Sequence, residues 1–414
     1  MPVNLPSIDD QKLPVVPGVR LGWAEANIKK ANRKDILIIE LEDETRVSGV
    51  FTQNRFCAAP VHICKEHLKT SKQIKALVIN TGNANAGTGK KGFNDAINTC
   101  EHLASLLNVP VSSILPFSTG VILEHLPMDR LLAGLAPAVN RLSADAWKEA
   151  AWAIMTTDVA PKAYATSITI GPKRVQITGI SKGAGMIHPN MATMLGFVAT
   201  DAAISQPLLD KMTKEIADLS FNCISVDGDT STNDSFIIMA TGKACNTEIT
   251  TADSPEYKAL FNGLLETAQY LAKAIVRDGE GATKFITVNV NAAKDNNEAK
   301  AIGYAIAKSP LVKTAMFASD PNLGRVLAAI GYASRDCESL IDLDVDNIQL
   351  FFGDVLVAEN GGRASNYTEE AGQKILNEAE IDISVVLHRG TENATIWSCD
   401  FSYDYVRINA EYRT

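Results

Sequence analysis

The residues best equipped for chemistry lie in KGAGMIHPNMATMLGFVATD, from Lys182 to Asp201. A lysine and two glycines lead through His-Pro-Asn to Ala192-Thr193, where an apolar, strand-like run over residues 194–198 begins. Threonine inside a chain is a weak nucleophile. Released as a new N-terminus it carries its own general base, because the adjacent α-amino group titrates near ~7.7 to 8. The junction therefore raises the question of self-cleavage between Ala192 and Thr193, against the plainer reading of a glycine-rich turn entering a buried strand.

Other stretches offer less. NTGNANAGTGKKG, residues 80–92, looks at first like a phosphate loop, but Thr88 follows Gly87 where the motif requires lysine. It reads instead as a Gly/Asn loop in which backbone can approach backbone. Ser118-Thr119-Gly120, in PFSTG, is a small-residue corner that could aim a backbone N–H and a hydroxyl at one point, as an oxyanion hole does. VDGDTSTND, residues 226–234, opens like a calcium loop but lacks the glycine at the sixth position and the closing glutamate, which leaves a polar turn. Glu280, between two glycines at a helix end, reads by itself as a solvated carboxylate.

These residues need a sizeable scaffold, and 414 residues provide one: two to three domains or one large α/β unit. A hydrophobic fraction of 46% and a charged fraction of 21% are those of an ordinary globular protein. The net charge of -9, without a long basic run, argues against nucleic acid or an anionic membrane as partner. The N-terminal stretch has neither the basic nor the apolar region of a signal peptide, and no apolar run approaches the ~18 residues of a membrane span, so a cytoplasmic location is expected. The seven cysteines are odd in number and form no CxxC pair, so they read as buried small side chains in a reducing compartment rather than as disulfides or a zinc site.

Periodicity places strands at 35–40, 47–52 and 76–79, a helix over 93–107, and two helices that begin at Pro127 and at a Ser143 cap. A hairpin over 164–180 delivers the chain to Lys182. After Thr193 come the strand over 194–198, a helix opened by Ser205-Gln206-Pro207 with Leu208, Leu209, Met212, Ile216 and Leu219 inward, a strand at 236–239, and a long helix capped at Ser254. The remainder mixes helices at 298–316, 324–332 and 368–378 with strands at 285–290, 340–344, 349–357, 381–388 and 393–398, before a polar tail expected to fray.

Taken together the blocks resemble the ornithine acetyltransferase family, the bifunctional glutamate N-acetyltransferases of arginine biosynthesis. KGAGMIHPNMATMLGFVATD is similar to that family's signature, and GVFTQNRFCAAPV, NTGNANAGTG, PFSTGVI, MTTD, VDGDTSTNDS, RDGEGATKF and RINAEYRT resemble its other blocks in its order. DPNLGR departs at Leu323, where tryptophan is expected, which touches local packing rather than chemistry.

The resemblance implies an α/β layered sandwich related to the N-terminal-nucleophile hydrolases. It implies a precursor that cuts itself at Ala192-Thr193 into an α chain, 1–192, and a β chain, 193–414, assembled as an α2β2 heterotetramer. Thr193 is then the nucleophile, with Thr119 and Gly120 as oxyanion hole. Substrate contacts fall on Thr156, Lys182, Thr193, Glu280, Asn409 and Thr414. The implied reaction moves the acetyl group of N-acetylornithine to glutamate by way of an acetyl-threonine ester, with no cofactor and with acetyl-CoA left open as a second donor. Two other readings share the sequence: a self-processing amidohydrolase or aminopeptidase, with water as acceptor, and a non-catalytic amino-acid-binding protein.

Overall fold

The computed structural model describes residues 1–188 and 194–411. The chain divides into two compact units: a larger one, Pro6–Asn222 with Asp229–Ile275, and a smaller one, Met1–Leu5, Cys223–Gly228 and Val276–Thr414. The 192/193 boundary expected from the resemblance lies inside the larger unit.

Two sheets form the centre of the larger unit. In the first, the strands Val19–Ala24, Ile36–Leu41, Ala76–Asn83 and Ile114–Val121 lie in that order. The run ILIIEL is almost wholly apolar because both its faces are covered. Leu37 and Ile39 join Leu77, Ile79, Leu115 and Phe117 in a core shared with the second sheet. Ile36 and Ile38 face the opposite way, toward Ala96, Cys100 and Leu103 of the helix Gly89–Leu107 and Leu131 and Leu135 of the helix Met128–Asn140.

The second sheet runs Arg46–Phe51, Ser235–Ala240, Leu195–Thr200, Lys173–Lys182 and Lys162–Ile170. Ile180, Leu195, Phe197, Ile237 and Met239 give it its side of the shared core. Helices Gln206–Asp218 and Pro255–Arg277 cover its other face, the latter so closely that a Cβ on Gly179 would lie 3.0 Å from Leu271 and one on Gly263 2.8 Å from Ile168. This helix–sheet–sheet–helix stack is the layered α/β sandwich that was expected.

The smaller unit is built on a seven-stranded sheet in the order Gly362–Arg363, Val355–Glu359, Gln349–Phe352, Glu380–Val386, Phe285–Ala293, Glu392–Cys399 and Ile224–Ser225. Gly303 lets the helix Asn296–Lys308 settle on Ile396, which a Cβ would meet at 2.6 Å. Leu323 is the half-buried first residue of the helix Leu323–Tyr332, whose N-terminus is capped by the Asn322 side chain accepting from Arg325 N at 3.2 Å.

Several expectations need correction. Ser143 is not a helix cap: its backbone exchanges hydrogen bonds with Leu21, and the helix begins at Trp147 without a side-chain cap. Leu219 is 44% exposed, having passed the last turn of its helix. Residues 340–344 form no strand; Glu338–Leu340 is a short 3-10 turn and Ile341 faces solvent, so the apolar alternation there has no sheet to join. The helical stretch over 298–316 is broken at Pro310, which opens a second helix, Pro310–Phe317, capped by Ser309. The strand over 349–357 is a hairpin turning at Gly353, whose φ of +55° suits glycine. Cys245 is exposed, unlike the buried Cys64, Cys100, Cys223 and Cys399. The tail does not simply fray: Tyr403–Ala410 is helical.

Candidate functional site

The strand Ile114–Val121 ends in the PFSTG corner, and its shape follows from one contact. Gly120 has φ +136°, and a Cβ there would lie 2.2 Å from the carbonyl carbon of Gly82. The register between the two strands slips at that point, so Gly82 and Asn83 bulge against Gly120.

Asparagines then fix the corner. Asn80 Oδ1 accepts from Ser118 Oγ at 2.6 Å, and Asn83 Nδ2 donates to the carbonyls of Glu124 and His125 at 3.1 Å. From the far side Asn233 Nδ2 donates to Ala84 O at 2.6 Å and to Ser118 O at 2.9 Å, which pins the peptide leading into Thr119. The first half of the Asn-rich stretch, residues 80–86, is therefore a largely buried scaffold for the corner, while Gly87 and residues 89–91 are exposed. Thr119 and Lys182 are each only 8% exposed, and Lys182 Nζ donates to Thr119 Oγ1 at 3.2 Å. A hydroxyl that accepts from lysine keeps its own proton to donate elsewhere.

Lys182 ends the strand Lys173–Lys182, and its backbone pairs with Leu195, the first residue of the neighbouring strand. Ala192 and Thr193 lie outside the described residues, as does Thr414. Met194 is described: its carbonyl accepts from Ser235 N at 3.0 Å, and its N–H bonds to the Asp234 carboxyl.

Thr156 is half-buried in the turn after the helix Trp147–Ala153. Arg33 clasps that turn, donating to the carbonyls of Thr156, at 3.0 Å, and Met155. Within the turn Asp158 is buried and ion-paired with Lys162 at 2.6 Å, both side chains 0% exposed. It also accepts from Gly183 N at 2.7 Å and Thr156 N at 2.9 Å.

Two buried aspartates thus flank Lys182 with opposite proton affinities. Burial alone raises the Asp158 carboxyl, but Lys162, Lys182 and the Gly183 N–H overcome it and hold the group below the usual carboxylate range. At Asp234 burial wins. Lys182, the Met194 N–H and the Ser231 side chain only partly offset it, so that carboxyl is held well above its usual range, and its Oδ2 has no hydrogen-bond partner among the described residues.

In the smaller unit Glu280 is 6% exposed, not solvated as its glycine neighbours suggest. Asn409, on the helix Tyr403–Ala410, donates to Glu280 Oε2 at 2.8 Å. Ser402 Oγ donates to Gly281 O at 2.6 Å, and a Cβ on Gly281 would meet Tyr405 N at 2.5 Å, so the DGEG loop and the C-terminal helix are locked together. The structure therefore brings Thr119, Gly120 and Lys182 together, joins Thr156 to Lys182's neighbour through Asp158, and separately pairs Glu280 with Asn409. Among the described residues no cluster of His, Cys, Asp and Glu could hold a metal ion, and no helix is long and apolar enough to cross a membrane.

Comparison with known proteins decides the family. The model of the ArgJ family matches residues 20–414. The arginine biosynthesis bifunctional protein ArgJ of Colwellia psychrerythraea is 69% identical over 424 residues, an alignment spanning 100% of both chains. The chain belongs to the ArgJ family.

Two solved structures also resemble it. The ArgJ structure from Bacillus halodurans is 40% identical, covering 52% of this chain and 97% of its own, with a TM-score of 0.49. The ornithine acetyltransferase of Mycobacterium tuberculosis, solved with ornithine, is 34% identical, covering 42% of this chain and 93% of its own, with a TM-score of 0.38.

For this ArgJ-family chain, sequence reasoning missed Asp158, Asn233 and Asp234 as parts of the site. Asp158 stood in view in MTTD, but a polar cluster at a helix end is ordinarily solvated. Asn233 and Asp234 sat in a segment dismissed as a polar turn; the signal was that it runs directly into SFIIMA, an apolar strand buried throughout.

Proposed function

We propose that this ArgJ-family enzyme of arginine biosynthesis transfers the acetyl group of N-acetylornithine to glutamate through an acetyl ester on Thr193. The observation that carries the reading is the Lys182–Thr119–Gly120 constellation, a buried cation and hydroxyl 3.2 Å apart at a corner only glycine can turn.

The precursor cuts itself between Ala192 and Thr193, giving chains 1–192 and 193–414. Supporting this, the strands on either side are hydrogen-bonded neighbours, with Lys182 opposite Leu195, and each has a further partner strand. A cut between them leaves both in the sheet.

In the first step Thr193 Oγ attacks the acetyl carbonyl while the new α-amine takes its proton. The Thr119 hydroxyl and the Gly120 N–H stabilise the tetrahedral oxyanion. The C–N bond then breaks, ornithine leaves with the proton, and the acetyl ester remains. In the second step the glutamate amine attacks that ester and releases Thr193. Lys182 binds the α-carboxylate that both substrates share, and Glu280 binds the ornithine side-chain ammonium while Asn409 holds its carboxylate in place. Thr156 and Thr414 complete the contacts. The chemistry needs no cofactor. The active form is a cytoplasmic α2β2 heterotetramer, and a donor assay comparing acetyl-CoA with N-acetylornithine on one preparation decides whether acetyl-CoA is a second donor.

Thr193→Ala tests the reading: the expected product is one uncut chain without acetyl transfer, and uncut protein that still forms N-acetylglutamate overturns it.

A further inference from the structure

We infer that Asp158 is a positioning residue for substrate binding, one carboxylate that sets Thr156 and Lys182 at a fixed separation. This rests on the proposal above that Thr156 and Lys182 contact the substrate.

The geometry is a bridge between two distant elements. Oδ1 of Asp158 accepts from Gly183 N at 2.7 Å, immediately after Lys182 at the end of its strand. Oδ2 accepts from Thr156 N at 2.9 Å, with Thr156 Oγ1 at 3.5 Å. Each oxygen thus holds the backbone of one contact residue or its neighbour. Lys162 supplies the buried counter-ion at 2.6 Å and also donates to Ala160 O at 3.2 Å.

Neutralising Lys162 requires only one oxygen, so a purely structural ion pair has no need of the second bridge. Arg33 holds the Thr156 carbonyl at 3.0 Å but that bond does not reach Gly183, so the tie between the turn and the end of the Lys182 strand runs through the Asp158 carboxylate. Both substrates of the two-step transfer carry an α-carboxylate and meet the same two residues. A shift of Thr156 against Lys182 therefore weakens both equally.

Asp158→Asn preserves shape but offers a single acceptor oxygen, so either Gly183 or Thr156 loses its bond. It also strands the Lys162 charge, and the companion variant Asp158→Asn/Lys162→Met removes both charges. The expected result is cleavage at 192/193 to the wild-type extent and a parallel rise in KM for N-acetylornithine and glutamate of about tenfold, the value of a hydrogen bond to a charged acceptor. Turnover at saturation should stay within about threefold of wild type, the signature of lost binding common to ground and transition states.

Unchanged KM values, or a fall only in kcat and thermal midpoint, make Asp158 a structural ion pair and overturn the inference. Failure of the double variant to fold does the same. Thr193→Ala measured alongside separates the two levels: activity surviving there overturns the assignment of the site, whatever Asp158 does.

Discussion

Lys182 sits between two buried carboxyl groups that differ in how their charge is compensated, and this sets the pH behaviour of the site. Asp158 has a paired lysine and two backbone donors; Asp234 is held by the Met194 N–H and the Ser231 side chain, and leaves its Oδ2 without a hydrogen-bond partner among the described residues. In the unfolded chain Asp234 titrates near ~3.9. Burial holds its folded value well above that, so between the two values the native state binds the extra proton and stability falls as pH rises. Asp234→Asn removes the titration while keeping an oxygen to accept from Met194 N–H. Its thermal midpoint, relative to wild type, should rise as pH increases above the unfolded carboxylate value of ~3.9. A difference that stays constant over that range contradicts a raised folded value. Asp158 has the reverse sign: its contribution to stability is present above ~3.9 and is lost only below it, as pH falls through the depressed folded value.

At the scale of elements, the regular strands were legible because both faces of ILIIEL and of LGFVAT are buried, which gives unbroken apolar runs. The failures have a common physical origin. Thr232, Asn233, Asp234 and Glu280 are polar yet buried, and burial of a polar group is decided by partners far away in sequence, such as Ser118 for Asn233 and Asn409 for Glu280. The terminal helix Tyr403–Ala410 was hidden for a similar reason. It has no buried residue of its own to mark a stripe, and it is anchored through Ser402, whose hydroxyl donates to Gly281 O and accepts from Tyr405 N at 3.4 Å. Ser402→Ala should cost about 1 kcal/mol, the usual value of a lost helix cap, and speed amide exchange over residues 403–410 about fivefold. Exchange unchanged in that segment would mean the helix is held by other contacts.

For the molecule as a whole, the resemblance carried further than periodicity could. Composition and spacing led to a mixed α/β protein with a suggestive Ala192-Thr193 junction, and matched blocks named the partners that make the junction chemically meaningful. The division into compact units, with Cys223–Gly228 joining residues from the far end of the chain, was not visible, since nothing in those six residues' composition distinguishes them. The proposed cut separates neighbouring strands of one sheet rather than the two compact units, so the cleaved chains stay bound by backbone hydrogen bonds. The central claim is the acetyl ester on Thr193, and intact-mass measurement of the purified protein tests it directly. With N-acetylornithine and no glutamate, the 193–414 chain should gain the mass of one acetyl group on its first residue and lose it when glutamate is added; an uncut chain, or a cut chain that turns over without ever carrying acetyl, contradicts the account.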